Sequence, residues 1–319
     1  MLYDATVIGG GQSGLATAYY LRKSGVNYVV LDDQPAPGGA WRHAWPSMTL
    51  FSTSGFSNLP GWPMPYHEGF PPARHVVEYL TAYEQRYNIP VERPVHVDSV
   101  IRDDGAFHVR AGGRTWTART IVAATGTWSA PFVPYYPGTF TGRQWHSAYY
   151  PGPEPFRGST VAVVGGANSG AQIAAELTSV ADVTWYTRGE PRWMPDDVDG
   201  RVLFRRNRDR AIAVARGEAD PGTDSSLGDI VALPTVREAR DSGRLKATPM
   251  FASLSNVTTA HLIWCTGFRP ALGPVRSVLH EPGVFLVGYG DRVGPGAATI
   301  TGVGPYAKRA AEGVVTATR

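Results

Sequence analysis

Two glycine-rich loops, each set between an apolar run and a helical pattern, constrain this chain more than any other feature. The first is Gly9-Gly10-Gly11-Gln12-Ser13-Gly14, after Ala5-Thr6-Val7-Ile8 and before the helical run Leu15 to Leu21. The second is Gly165-Gly166-Ala167-Asn168-Ser169-Gly170, after Val161-Ala162-Val163-Val164 and before Ala171 to Leu177. Strand, tight turn, helix is the context in which G-x-G-x-x-G predicts dinucleotide binding. Gly9 permits the turn, Gly11 lets the backbone approach a pyrophosphate, and Gly14 lets the helix pack close to the strand. The pyrophosphate would rest on unpaired amides at the positive end of the helix dipole. Two such units predict an α/β chain of two Rossmann-like dinucleotide-binding domains.

The residues beyond each loop separate the two ligands. The strand Tyr28-Val29-Val30-Leu31 ends at Asp32, roughly 20 residues past the first loop, where an acid accepts hydrogen bonds from an adenosine ribose. Asp33 is the alternative acid. The corresponding strand of the second unit, Val183-Thr184-Trp185-Tyr186, ends at Thr187-Arg188 instead. An arginine cannot accept from a ribose hydroxyl but pairs with a 2′-phosphate, which favours NADPH over NADH, with Arg192 as a second candidate. Ala167 replaces the middle glycine and moves the phosphate slightly outward, a change compatible with a nicotinamide site. The buried runs ending in Thr125-Gly126 and in Cys265-Thr266-Gly267 repeat as well, the mark of a duplicated fold. They assign Thr125 and Gly126 to the first nucleotide and Gly267 to the second.

Composition narrows the class. A length of 319 residues accommodates two domains of ordinary size. The 37 glycines exceed the usual ~7% and suit many tight turns. No apolar run approaches the ~20 residues of a membrane span, and a strand pattern beginning almost at Met1 leaves no room for a signal peptide, so a cytoplasmic enzyme without membrane contact is expected. Formal charge is only +3, and the basic run Arg201 to Arg210 contains Asp209, Val202, Leu203 and Phe204, which reads as a solvated helix face rather than a nucleic-acid patch. Cys265 is the only cysteine, which excludes an intramolecular disulfide and a dithiol redox centre and suits a reducing compartment. No metal-ligand cluster or Ser/His/Asp spacing stands out. A second copy of the chain, as a homodimer, is the one protein partner the reading allows.

Two further motifs carry a resemblance. Pro37-Gly38-Gly39-Ala40-Trp41 resembles the GG-x-W turn of FAD enzymes of the glutathione-reductase-like superfamily, where it runs along the flavin's ribityl and phosphate region. Phe140-Thr-Gly142-Arg-Gln-Trp-His146-Ser-Ala-Tyr-Tyr150 resembles the FxGxxxHxxx(Y/F) fingerprint of class B flavin monooxygenases, with Tyr150 favouring the flavin-containing branch. Together with CTGFRP and the stretch Gly228 to Gly243, the likeness spans nearly the whole chain and is nearest to short bacterial members, including the arsenic-operon group.

That resemblance implies FAD at the first loop and NADPH, or alternatively NADH, at the second. It implies FAD contacts from Gly9, Gly11, Gln12, Ser13, Gly14, Asp32, Gly39, Trp41, Val97, Thr125, Gly126 and Asp291. It implies NADPH contacts from Gly165, Ala167, Asn168, Ser169, Gly170, Arg188 and Gly267. Expected domain bounds are 1–152 with 271–319 for FAD and 153–270 for NAD(P)H. The implied chemistry is hydride transfer to flavin, reaction with molecular oxygen to a C4a-hydroperoxyflavin, and oxygenation of a small soft nucleophile: a sulfide, an amine or an arsenite-like species. His146 is expected to brace the linker between domains.

The chain departs from the family in being compact at 251–262 and 270–284. It also has Leu50-Phe51-Ser52-Thr53 where relatives carry an asparagine beside the reactive flavin carbon. Ser52 is the candidate for that place. A cysteine-less flavin reductase of the ferredoxin-reductase type and a non-catalytic redox sensor remain the alternative readings.

Overall fold

The computed structural model describes residues 1–222 and 228–319. Strand β1 (Leu2–Ile8) buries its last four residues and delivers the chain into the first glycine loop. Helix α1 (Gln12–Ser24) follows and ends at Gly25, whose left-handed φ of 71° lets its N–H reach the Arg22 carbonyl. Then come β2 (Tyr28–Leu31), helix α2 (Ala73–Arg86), β3 (Val91–Glu92), β4 (Ser99–Asp103), β5 (Ala106–Ala111) and β6 (Arg114–Ala123). The order is β3-β2-β1-β6-β5-β4, with β1 parallel to both neighbours and β4, β5 and β6 an antiparallel meander. Continuous apolar runs in β1 and β2 match strands covered on both faces.

The second sheet contains β7 (Arg143–His146), β8 (Thr160–Val164), β9 (Asp182–Thr187), β10 (Ala247–Pro249) and β11 (His261–Trp264), in the order β10-β9-β8-β11-β7 and parallel throughout. Among the described residues, three α-helices lie within this half: α3 (Asn168–Leu177), α4 (Gly200–Ala215) and α5 (Pro234–Asp241). The chain then returns to the first sheet. Strand β12 (Val284–Leu286) pairs with β6, and helix α6 (Gly304–Thr318) joins α1 in one apolar core with Leu15, Tyr79, Tyr83 and Val314. Among the described residues no helix is long and apolar enough to cross a membrane.

Val95-Val97 forms no strand: Pro94 has no N–H to give a ladder, the Val95 N–H goes to the Asp32 carbonyl, and both valines are buried in the second core of this half. Strand β7, which carries the fingerprint, pairs with β11 in the second sheet, ahead of the expected boundary at 152. There it covers an edge that would otherwise present unpaired peptide groups, and Trp264 Nε1 fastens it by donating to Gln144 Oε1 at 2.8 Å. Helix α4 is the solvated helix expected from its arginines, with Gly200 its only buried residue.

Candidate dinucleotide sites

Gly9 and Gly11 are glycines for different reasons. Gly9 has φ +108°, and a Cβ there would strike the Ala124 carbonyl at the end of β6. Gly11 has an ordinary extended backbone, and a Cβ there would meet only Gly39 Cα, at 3.9 Å. Protein packing therefore does not require glycine at 11, and the open space before it fits close approach of a pyrophosphate to the backbone. Gly14 sits behind, where any Cβ would strike the Gly9 carbonyl.

Three separate stretches converge on this loop. Trp41 Nε1 donates to Gln12 Oε1 at 2.9 Å, and Gln12 Nε2 donates to the Ala298 carbonyl at 2.7 Å. Gln12 thus ties the GG-x-W turn and the segment before α6 to the first loop. Ser13 is buried against Gly288, where a Cβ would strike its hydroxyl. Asp291 is exposed in the short turn Gly290–Arg292 that follows. Tyr289, which sequence reasoning missed, accepts the Thr125 N–H at 3.1 Å and bonds Thr125 Oγ1 at 2.7 Å. Thr125 Oγ1 in turn donates to the Ala271 carbonyl, and the Ala271 N–H reaches the Gly126 carbonyl.

Of the two acids after β2, Asp32 meets the loop. It is buried, its Oδ1 accepts the Gly10 N–H at 3.1 Å, and its Oδ2 accepts Arg93 Nε at 2.6 Å. Asp33 lies outside, its Oδ1 accepting a hydrogen bond from Gln34 Nε2 at 2.6 Å. Val97 lies outside any strand and is buried among the valines and aromatics of the first half.

The second loop repeats the architecture with other attachments. Gly165 has φ +142°, and its carbonyl accepts Trp185 Nε1 at 2.8 Å. A Cβ on Gly170 would strike that same carbonyl. Ala167 and Ser169 flank Asn168 at the start of α3, and the Asn168 side chain reaches across to a distant segment. Its Oδ1 accepts the Val231 N–H at 2.9 Å and its Nδ2 donates to the Asp229 carbonyl at 3.2 Å. The Asp229 carboxylate takes Arg192 Nε and Nη2 at 2.8 and 2.6 Å. Arg192 is thus committed to Asp229. Arg188, just past β9, is exposed and forms no side-chain hydrogen bond or ion pair among the described residues.

The fingerprint lies where the two units meet. His146 is buried, its Nδ1 accepts the Ala148 N–H at 3.1 Å, and its Nε2 faces the Gly267 carbonyl at 3.1 Å. An N–H donor at Nδ1 and a carbonyl acceptor at Nε2 fix a neutral ring protonated on Nε2. Burial holds its pKa below the ordinary value, against the opposing pull of the Gly267 and Phe132 carbonyls. Tyr150 donates to Glu176 Oε2 on α3 at 2.9 Å, and burial together with that carboxylate pushes the phenol's pKa up. Phe140 is core. Beside them a cleft of ≈ 340 Å³ is lined by Arg42, His43, Trp45, Trp128 and Tyr149.

Ser52 lies beneath the start of α4. It is 1% exposed, its hydroxyl lies 3.0 Å from Ser57 Oγ, and Gly200 at the start of α4 packs on it so closely that a Cβ there would come within 3.0 Å of Ser52 Cβ. Its hydroxyl pairs with Ser57. Cys265 is buried, with its thiol pKa pushed up by burial. Among the described residues no three acidic, histidine or cysteine side chains could hold a metal.

Residues 6–218 match the family described as pyridine nucleotide-disulphide oxidoreductase. The flavin-containing monooxygenase from Stenotrophomonas maltophilia is 43% identical and superposes with a TM-score of 0.88 over 99% of this chain and 98% of that one. The oxidoreductase CzcO of Bacillus subtilis (strain 168) is 33% identical over 89% of this chain and 87% of its own length. A bacillithiol disulfide reductase from Staphylococcus aureus, 16% identical with a TM-score of 0.73 over 99% of both chains, shares the fold.

Proposed function

We propose, from the premise that this chain belongs to the pyridine nucleotide-disulphide oxidoreductase family, that it is an NADPH-dependent monooxygenase acting on a soft nucleophile. It is an enzyme of the class B flavin monooxygenase type. An intramolecular dithiol centre is closed to it, because that needs two cysteines and the chain has one, buried. The observation that carries the proposal is the tie between His146 and Gly267, which joins the fingerprint to the Thr-Gly end of the second unit.

Bound FAD and NADPH would supply the redox chemistry; the protein would supply position, electrostatics and exclusion of water. The amides at the start of α1 and of α3 would receive the two pyrophosphates. Gly11, Gly39, Gln12 and Trp41 would line the FAD path, and Asp32 would take its adenosine ribose. Arg188 would take the 2′-phosphate of NADPH. Overall, NADPH, a proton, O2 and a thioether, amine or arsenite-like substrate would give NADP⁺, water and the singly oxygenated product.

The pairing of Ser52 with Ser57 favours a second reading, a cysteine-less flavin reductase of the ferredoxin-reductase type that passes electrons onward without oxygenating a substrate. Purified enzyme with NADPH, air and methyl phenyl sulfide separates the two. Sulfoxide accounting for a measurable share of NADPH supports the oxygenase. NADPH recovered wholly as hydrogen peroxide, with no thioether, amine or arsenite oxidised, supports the reductase.

A further inference from the structure

Arg93 is an arginine with almost no solvent to face. Its side chain is 10% exposed. It lies just past β3, where Nε donates to Asp32 Oδ2 at 2.6 Å and Nη1 and Nη2 fork onto the two Glu84 oxygens of α2 at 2.7 Å each. Asp32 spends its other oxygen on the Gly10 N–H at 3.1 Å. The chain Glu84–Arg93–Asp32–Gly10 therefore runs from a helix, through a buried guanidinium, to the glycine loop.

From this geometry we infer that Arg93 is a positioning residue for dinucleotide binding: it fixes the Asp32 carboxylate in the one orientation that presents its remaining lone pairs to an adenosine ribose. The inference rests on the assignment of Asp32 to the ribose of FAD. A carboxylate oxygen carries two acceptor sites, so each Asp32 oxygen holds its protein partner and keeps one site for a ribose hydroxyl. Without Arg93 the carboxylate turns freely about its side-chain bonds, and the rotamer freedom must be lost on binding. The bidentate grip of Glu84 explains why arginine is needed here. A lysine at 93 supplies the charge but not the planar fork that spans both acids.

The test uses apoprotein titrated with FAD and with an FAD analogue carrying 2′-deoxyadenosine, followed by flavin fluorescence. Arg93→Met is expected to weaken FAD about ten- to hundredfold, the worth of a charge-assisted contact, and to weaken the deoxy analogue much less. Asp32→Asn is expected to weaken FAD similarly, and adding Arg93→Met to it should change little further. Arg93→Lys and Glu84→Gln, which leave smaller holes, should give intermediate losses and serve if Arg93→Met does not fold. A weaker Asp32→Asn variant beside Arg93 variants that bind FAD normally would overturn the role of Arg93 and leave the ribose assignment standing. Normal FAD binding by Asp32→Asn would overturn both. Equal losses for FAD and its deoxy analogue would mark Arg93 as scaffold only.

Discussion

His146 and Gly267 are 121 positions apart, and the imidazole Nε2 stands 3.1 Å from the Gly267 carbonyl. With Nδ1 occupied by the Ala148 N–H, this contact requires a neutral ring. Protonating it would set a second N–H against an N–H donor.

The pH dependence follows from that. The folded pKa of His146 is lowered by burial, so the unfolded chain binds the extra proton first as pH falls. Its contribution is complete above about pH 6.5 and is lost as pH drops through the folded value. His261, lowered by burial and by Arg143, adds in the same direction. Urea unfolding at about pH 7.5 and pH 5.5 should show a loss of stability for the parent. His146→Gln should start less stable at the higher pH and lose less on acidification. An unchanged slope would remove His146 from the account.

Gly11 separates folding from ligand binding. Because a Cβ at 11 meets only Gly39 Cα at 3.9 Å, Gly11→Val should give folded protein with a melting temperature close to that of parent apoprotein, but colourless. Gly14→Ala, which drives a methyl into the Gly9 carbonyl, should damage folding itself. A yellow Gly11→Val protein with normal FAD content would contradict the pyrophosphate assignment.

Arg188 carries the nicotinamide prediction alone, since Arg192 is held by Asp229. A charged hydrogen-bonded contact is worth roughly 1.5–3 kcal/mol, so Arg188→Ala should raise the Michaelis constant for NADPH about ten- to hundredfold and barely move that for NADH. Parallel changes in both constants would make Arg188 structural.

The loops, their strands and α1 were legible in the sequence because they are local: turn, apolar run and helix lie within a dozen residues of one another. The attachments were not. Gln12 meets Ala298 across 286 positions, Asn168 meets Val231 across 63, and Arg93 meets Asp32 across 61. No period or spacing encodes such pairs. The pairing of β7 with β11 escaped for the same reason, since Arg143–His146 is too short and polar to announce its sheet. The motif that names Ser52 is local and carries no sign of Gly200, which packs over it from 148 positions away.

That packing gives a stability prediction for Ser52. An asparagine side chain there must enter the space between Ser57 and Gly200. Ser52→Asn should therefore cost about 1–3 kcal/mol, the usual range for overpacking, read as a lower denaturation midpoint. A stable Ser52→Asn protein with a larger sulfoxide yield would show instead that residue 52 reaches the flavin.

Oxygen transfer is the central claim, and isotope labelling tests it most directly. Enzyme, NADPH and methyl phenyl sulfide under 18O2 in ordinary water should yield sulfoxide carrying one 18O atom, its amount rising with NADPH consumed. Sulfoxide without the label, or complete consumption of NADPH with peroxide as the sole product from sulfide, amine and arsenite alike, would contradict the account.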